Sequence, residues 1–262
     1  MIITKNSTTP EALRETLITT QSMFRVAAIQ MASGPNVSAN LGEAERLIAQ
    51  AVDGGARLVV LPENFAHMST GEGNWLAVRE TDGSGRIQDF LAAQAQRHGV
   101  WLVGGTIPLE SPRPDRYRAA CLVYDDSGQR VARYDKLHLF DVTVKAAVVE
   151  RYAESSTIDP GSQPVVIDSP FGRIGLAVCY DLRFPELFRC MLDQGMEVIT
   201  LPSAFTAVTG RAHWEVLVRA RAVENLSYVI AAGQCVFHVG GRETFGNSMI
   251  VDPWGAILGQ LP

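Results

Sequence analysis

Glu63, Lys136 and Cys179 each lie in or directly after a short apolar segment, and their side chains could do chemistry together. A cysteine thiol is a poor nucleophile until it loses its proton, which a neighbouring carboxylate can accept as a general base. A lysine ammonium can stabilise both the thiolate and the oxyanion that forms when the sulfur attacks a carbonyl. The three groups would therefore support acyl transfer from an amide or a nitrile through a thioester.

Each of these residues also has an ordinary structural interpretation. A buried cysteine is usually a small hydrophobic residue, a glutamate after a strand is usually solvated, and a lysine on a strand is usually at an exposed edge. The five histidines lack the spacing of a zinc site, so we expect no metal. No Gly-x-Ser-x-Gly, P-loop or dinucleotide-binding fingerprint occurs either.

The elements that must position these residues alternate between short strands and amphipathic helices, which is typical of one α/β domain. Helices are predicted over residues 41–52, 87–97, 185–192 and 212–226, with Gly99 as a C-cap of the second. Strands are predicted over residues 25–31, 57–61, 100–106, 119–124, 130–134, 136–140, 164–167, 173–178, 197–201, 228–232, 248–251 and 255–261.

Three details of this pattern bear on the site. The turn signal at residues 125–128 predicts a hairpin, and therefore a mixed sheet. Residues 141–161 show no clear period and are expected to form a loop with a short helix, whereas Pro202 is expected to end a strand. Ligands of α/β sheets bind beyond the carboxyl ends of strands, where Glu63 and Cys179 are placed.

The composition excludes several classes of protein. The chain has 262 residues, of which 47% are hydrophobic and 19% charged, with a net charge of −5, so most of it is not disordered. A basic nucleic-acid-binding face is not expected, and no apolar run is long enough to span a membrane. The four cysteines show no C-x-x-C spacing, which favours reduced thiols in the cytoplasm. Residues 1–22 are expected to be a flexible extension and residues 23–262 a single domain.

Three segments resemble the signature blocks of the nitrilase superfamily of carbon–nitrogen hydrolases: LPENF at residues 61–65, YDKLHLFD at 134–141 and VCYDLRFPEL at 178–187. The resemblance extends from about residue 25 to the end of the chain. It implies a four-layer α-β-β-α sandwich and no cofactor. It also implies that Glu63 is the general base, Lys136 the oxyanion-stabilising lysine and Cys179 the nucleophile.

The resemblance further implies a second glutamate between the lysine and the cysteine, which positions the lysine or the attacking water. Glu154 matches it best because of its Glu-Ser context and the turn that follows, and Glu150 is the alternative. The backbone N–H of Tyr180 is a candidate second oxyanion donor, since Cys179 precedes a turn into a helix.

Cys179 is followed by Tyr-Asp-Leu-Arg, whereas true nitrilases tend to have Trp-Glu there. With residues 202–215 and 247–255, this makes the chain most similar to the deaminated glutathione amidase branch. We therefore expect hydrolysis of an ω-amide of an α-keto acid, such as deaminated glutathione. The alternatives are an ω-amidase or other short aliphatic amidase, or, in a different class, an inactive truncated binding protein.

An α-keto carboxylate needs a cationic partner, and Arg183 lies four residues after the nucleophile. Its alternative role is an ion pair with Asp181 or Glu186. Thr209 and His213 are further candidates for substrate binding, with helix N-capping as an equally good explanation.

The expected partners are a small-molecule amide substrate and a second copy of the chain. Members of the family usually pair into homodimers through helices beside the nucleophile, for which residues 185–192 and 214–223 are the candidates. Neither nucleic acid nor a membrane is expected as a partner. The family usually continues beyond the strand at residues 253–255 with a further strand and a tail, so the domain is expected to be short at its C-terminus.

Overall fold

The computed structural model of the protein describes residues 24–68, 74–145, 149–239 and 241–262. The predicted extension at residues 1–22 lies outside these described residues. Within them, no helix combines the length and apolar character needed to cross a membrane.

The described elements alternate between strands and helices, as the sequence predicts. The strands are β1 (Arg25–Ala28), β2 (Ala56–Val60), β3 (Trp101–Val103), β4 (Ile107–Glu110), β5 (Tyr117–Tyr124), β6 (Arg130–Asp135), β7 (Asp141–Lys145), β8 (Val149–Ala153), β9 (Val166–Ile167), β10 (Ile174–Leu176), β11 (Val198–Ser203), β12 (Tyr228–Gly233), β13 (Cys235–Phe237), β14 (Glu243–Phe245), β15 (Met249–Val251) and β16 (Ile257–Gln260). The helices are α1 (Val37–Asp53), α2 (Asn74–Ala77), α3 (Arg86–His98), α4 (Pro185–Asp193) and α5 (Ala207–Asn225).

The first large sheet has the order β1-β2-β3-β5-β4, with β6 also paired to β5. Strands β1, β2 and β3 are parallel, whereas β5 is antiparallel to β3, β4 and β6. The predicted hairpin is confirmed: the Asp125 carboxylate accepts the backbone N–H groups of Ser127 and Gln129 at 2.9 Å each. Because β6 runs in the same direction as β2, the two strands end at the same edge of the sheet.

The second large sheet has the order β16-β15-β12-β11-β10-β9. Its three central strands, β10, β11 and β12, are parallel, and the flanking strands are antiparallel to their neighbours. Two hairpins, β7–β8 and β13–β14, lie outside both large sheets.

The two large sheets pack face to face and helices cover their outer faces. Alternation along β2 shows this: Leu58 and Val60 belong to one hydrophobic cluster with Ile199 of β11, whereas Val59 packs in a second cluster with Ile48 of α1 and Leu91 of α3. Helices α4 and α5 contact each other, and α5 packs on β12. Strands buried on both faces read as continuous apolar runs, as these do. The predicted α-β-β-α sandwich is confirmed.

The strand predicted over residues 136–140 is wrong, because β6 ends at Asp135 and Lys136 lies just beyond it. Carboxylates take the place of a neighbouring strand there. The His138 N–H donates to Asp181 at 3.0 Å, and the Phe140 N–H donates to Glu154 at 2.8 Å. These acceptors lie far away in the sequence, so no local pattern indicates them.

Two other predictions of secondary structure need correction. Residues 141–161 contain the β7–β8 hairpin as well as a short helical turn, Glu154–Ser156. Pro202 lies within β11 and does not end it. The neighbouring β10 ends at Leu176, opposite Thr200, so the missing N–H of Pro202 has no strand to pair with on that side.

The loop that carries Glu63 packs against the turn between β3 and β4. Gly105 has a φ of +57°, and a Cβ there would collide with the carbonyl oxygen of Pro62.

We expect Gly105→Ala to lower the free energy of unfolding by at least about 2 kcal/mol, since the left-handed backbone and the collision both disfavour a side chain. Urea denaturation would measure this. The matched control is Gly42→Ala on α1, where a Cβ meets nothing within 4 Å. This variant should raise the free energy of unfolding by about 0.5–1 kcal/mol. Equal effects of the two variants would contradict the predicted collision at Gly105.

Candidate active site

The four predicted catalytic residues come from both large sheets and from the β7–β8 hairpin, and they meet in one place. Glu63 follows β2, Lys136 follows β6, and Cys179 follows β10 as the first residue of a short helical turn, Cys179–Arg183. Glu154 opens the turn that follows the β7–β8 hairpin. The structure thus brings together residues that are 18 to 73 positions apart where they contact each other.

Lys136 is the centre of this arrangement. Its Nζ lies 2.8 Å from Oε1 of Glu63 and 3.0 and 2.8 Å from Oε1 and Oε2 of Glu154. Lys136 is only 1% exposed and Glu63 3% exposed, so two of the three charges are removed from water. Burial opposes the charge on Lys136, but attraction by Glu154 and Glu63 outweighs it and holds the pKa of the ammonium well above its usual value. Lys136 is therefore a permanent cation.

Cys179 is 7% exposed and its backbone has a φ of +48°, in the left-handed region that non-glycine residues rarely adopt. Burial and the nearby Glu63 carboxylate raise the pKa of the thiol well above its usual value, although Lys136 and the Ala204 backbone N–H oppose that shift. The thiol is therefore protonated at rest, and a base must remove its proton before the sulfur can attack. Tyr180 is the second residue of the turn, where a backbone N–H has no acceptor within the helix.

Asp181 fixes the turn at Cys179–Arg183 to the segment that follows Lys136. It is fully buried, and its Oδ2 accepts the Tyr134 hydroxyl at 2.7 Å and the Val178 N–H at 2.8 Å. Its Oδ1 lies 3.0 Å from the His138 N–H and 2.7 Å from the His138 Nδ1. One carboxylate thus bonds to chain on both sides of the site, from the end of β6 to the residue before Cys179.

A pocket opens beside Cys179. Its walls are lined by Glu63, Phe140, Glu154, Cys179, Tyr180, Ala204, Phe205, Thr206, Thr209 and Arg242. Of the three predicted substrate-binding residues, Thr209 lines it. Thr209 also takes part in the N-cap of α5, because the Thr206 hydroxyl accepts its N–H at 3.2 Å. Both interpretations of Thr209 therefore agree with its position.

Arg183 and His213 lie behind the pocket wall. Both terminal nitrogens of Arg183 are 3.3 Å from Nδ1 of His213. The guanidinium carbon also lies 6.0 Å from the ring centre of Tyr180 and 5.6 Å from that of Phe205, both pocket-lining residues. Among the described residues, Arg183 forms no ion pair with Asp181 or Glu186, which were its structural alternatives.

Three residues that line the pocket were not predicted from the sequence: Arg242, Phe140 and Phe205. Phe140 lies within the block that carries Lys136, so its proximity to the site could have been inferred. Arg242 follows two glycines at the far end of the sequence from Glu63, and only its charge could have drawn attention to it.

Comparisons with known proteins agree with this geometry. Residues 25–262 match the family described as carbon–nitrogen hydrolase. A deaminated glutathione amidase of Yersinia enterocolitica is 44% identical over 238 residues, which cover 90% of this chain and 82% of the relative. The omega-amidase NIT2-B of Xenopus laevis is 34% identical over 237 residues, which cover 90% of this chain and 84% of that protein.

Solved structures share the fold. The NitFhit protein of Caenorhabditis elegans superposes with a TM-score of 0.82 at 36% identity, over 90% of this chain and 57% of that longer chain. An amidase from Nesterenkonia, in a variant with acrylamide added to its active-site cysteine, superposes with a TM-score of 0.78 at 27% identity. That match covers 91% of this chain and 89% of the amidase.

The contacts of Lys136 predict that Glu154, and not Glu150, is the second glutamate of the site. Glu154→Gln removes one of the two negative charges beside the ammonium, and we expect kcat to fall on the order of 100-fold or more. Glu150→Gln is the matched control and should change kcat less than about 3-fold. Steady-state amide hydrolysis by the two purified variants would measure this. Activity that survives Glu154→Gln and is lost in Glu150→Gln would exchange the two assignments.

The four contacts of Asp181 generate a second test. Asp181→Asn leaves two donors facing an amide nitrogen, and we expect the free energy of unfolding to fall by about 2–4 kcal/mol, with kcat reduced. Tyr134→Phe removes one donor to Asp181 and the acceptor of the Leu137 N–H at 3.3 Å, and should cost about 1–1.5 kcal/mol. Thermal unfolding and kcat measured in parallel would show the difference. Similar stability losses in the two variants would mean that Asp181 does not bridge the two segments.

Proposed function

The chain belongs to the carbon–nitrogen hydrolase family, and we propose that it is an amidase that hydrolyses deaminated glutathione through a thioester on Cys179. The observation that carries the proposed chemistry is the buried Lys136 ammonium, held between two glutamates in the same pocket as the thiol. The proposed substrate is supported by the relative of that name at 44% identity. The ω-amidase alternative is less favoured, because that relative is 34% identical.

The first half of the proposed reaction forms the thioester. Glu63 takes the proton of the Cys179 thiol, and the sulfur attacks the carbon of the amide carbonyl. Lys136 and the Tyr180 N–H stabilise the resulting oxyanion. The carbon–nitrogen bond then breaks, and Glu63 passes its proton to the departing amine. The raised pKa of the thiol supports this order of events, since proton removal must accompany the attack.

The second half frees the enzyme. Glu63, again a carboxylate, takes a proton from water while the water oxygen bonds to the thioester carbon. The oxyanion forms at the same position, beside Lys136. The carbon–sulfur bond breaks as the proton returns to the sulfur, and the keto diacid leaves. Glu154 holds Lys136 in place throughout, and each step uses only side chains, backbone and water.

Recognition of the acyl part is assigned to the side of the pocket near the turn at Cys179–Arg183. Arg183 lies against Tyr180 and Phe205, which line the pocket, and its guanidinium is the proposed partner of the α-keto carboxylate. Thr209 supplies a hydroxyl on the same side. His213, which faces the Arg183 guanidinium through Nδ1, would orient that arginine.

We also propose that two copies associate through α4 and α5 and that the protein is cytoplasmic. On helix α5, Val216 is 60% exposed and Val223 is 48% exposed. Trp254, in the turn before β16, is 90% exposed. Apolar side chains this open are typical of a surface that a second copy covers. The four cysteines are free thiols, with Cys190 exposed, as expected in a reducing compartment.

The proposed activity predicts release of 2-oxoglutarate from deaminated glutathione. We expect faster release from this substrate than from 2-oxoglutaramate, and none above background in Cys179→Ala, because the nucleophile is gone. A coupled dehydrogenase assay for 2-oxoglutarate would measure both. Faster turnover of 2-oxoglutaramate would favour the ω-amidase alternative, and a folded protein that acts on neither would favour another amide or an inactive binding protein.

The proposed dimer predicts twice the mass of a single chain in light scattering. Val216→Glu together with Val223→Glu should shift the population towards the single-chain mass, because buried like charges across a two-fold interface repel. A matched control is Val131→Glu, at an exposed position on β6. A single-chain mass in the unmodified protein would contradict the proposal.

A further inference from the structure

Arg242 is a cation in the wall of the pocket to which the proposed reaction assigns no part. It lies beside β14, in the turn of the β13–β14 hairpin, and lines the same pocket as Cys179 and Glu63. Unlike Arg183, which lies behind aromatic rings, it borders the pocket directly. A cation in this position can bind an anionic group of a substrate in the pocket.

The hydrogen bonding of Arg242 is incomplete. Its Nη2 donates to the carbonyl oxygen of Ala204 at 3.0 Å, and its guanidinium carbon lies 5.4 Å from the ring centre of Tyr152. Its Nε is buried without an acceptor, and none of the described carboxylates pairs with it. A buried donor without an acceptor destabilises the folded protein, so it requires an explanation. Arg116 and Arg221 also have an unpaired Nε, but neither lines the pocket.

The hairpin that carries Arg242 is attached to the loop that carries Glu63. Gln234, which precedes β13, donates from Nε2 to the Glu63 carbonyl oxygen at 3.1 Å. His238 Nδ1 lies 2.8 Å from the Ser33 carbonyl oxygen, and the Ser33 hydroxyl donates to the Phe65 carbonyl oxygen at 2.8 Å. Arg183, in contrast, belongs to the turn at Cys179–Arg183. Arg242 therefore lines the pocket directly, on a hairpin bonded to the Glu63 loop, whereas Arg183 lies behind Tyr180 and Phe205.

The side of Glu63 is the side of the leaving group, because Glu63 is the residue that protonates the departing amine. We infer that Arg242 binds a carboxylate on the leaving-group half of the substrate, and so selects amides whose amine part is an anionic peptide. This inference rests on the proposed function. Deaminated glutathione has such a carboxylate at its glycine end, beyond the scissile amide. In 2-oxoglutaramate the leaving group is ammonia, and the only carboxylate is on the acyl half.

A planar guanidinium suits this role. It can offer Nε and a terminal nitrogen to the two oxygens of one carboxylate, and the stacking on Tyr152 holds its plane while the Ala204 carbonyl fixes one end. A lysine at the same position would keep the charge but lose the paired donors. The readout for Arg242 is therefore the preference between two substrates that differ only in the leaving group.

The test measures kcat/KM of the full chain for deaminated glutathione and for 2-oxoglutaramate. In Arg242→Gln, we expect the ratio of the two values to fall on the order of 10- to 100-fold, chiefly through KM for deaminated glutathione. Arg242→Lys should lie between this variant and the unmodified protein. Arg183→Gln is the matched control: it acts on the acyl half that both substrates share, so the ratio should change less than about 3-fold.

A ratio that stays constant in Arg242→Gln would overturn the inference, whether both activities fall together or neither changes. The same holds if Arg183→Gln, and not Arg242→Gln, changes the ratio. Thermal unfolding of each variant accompanies the kinetics, and Arg242→Lys decides the matter if the glutamine variant does not fold. Failure of the proposed function is distinct, because the unmodified protein would then cleave neither substrate.

Discussion

The buried charge of Lys136 is the constraint on which the rest of the site depends. Removing an ammonium from water costs several kcal/mol, and only close carboxylates can offset this. Here Glu63 and Glu154 do so at 2.8 Å each, but they are carried by separate loops. The fold must therefore bring the end of β2 and the turn after β8 close enough to the end of β6 for both glutamates to bond to Lys136. Loss of either carboxylate leaves an incompletely compensated charge in the interior.

The same three charges act on Cys179, the proposed nucleophile. Burial raises the pKa of the Cys179 thiol, and the Glu63 carboxylate raises it further. Two carboxylates and one ammonium leave a net negative charge beside the thiol, which therefore keeps its proton. A resting thiolate would be open to oxidation and to any electrophile that enters the pocket. In the proposed reaction the proton leaves the thiol only when a substrate carbonyl is present for the sulfur to attack. The second sheet supplies Cys179, so the proposed catalysis also requires the two sheets to be packed together.

The sequence predicts the parts of the site that are encoded locally. Glu63, Lys136 and Cys179 each lie within a short block of characteristic residues, and the C-cap at Gly99 and the hairpin at Asp125 follow from local turn chemistry. The strand wrongly predicted over residues 136–140 shows the limit of local patterns, because its apolar residues are typical of a strand. Two of its backbone N–H groups, those of His138 and Phe140, bond to Asp181 and Glu154, which are 43 and 14 residues away.

Arg242 could not be predicted for a related reason: no local pattern distinguishes it from a surface arginine. Its role depends on what the hairpin touches, namely the Glu63 loop and the Ala204 carbonyl. The net charge of −5 makes such placement necessary for an anionic substrate. At physiological ionic strength charges further away than about 8 Å are largely screened, so attraction must come from cations at the pocket itself. In the proposed reaction, Arg242 in the pocket wall and Arg183 behind Phe205 would meet that need for a substrate with carboxylates at both ends.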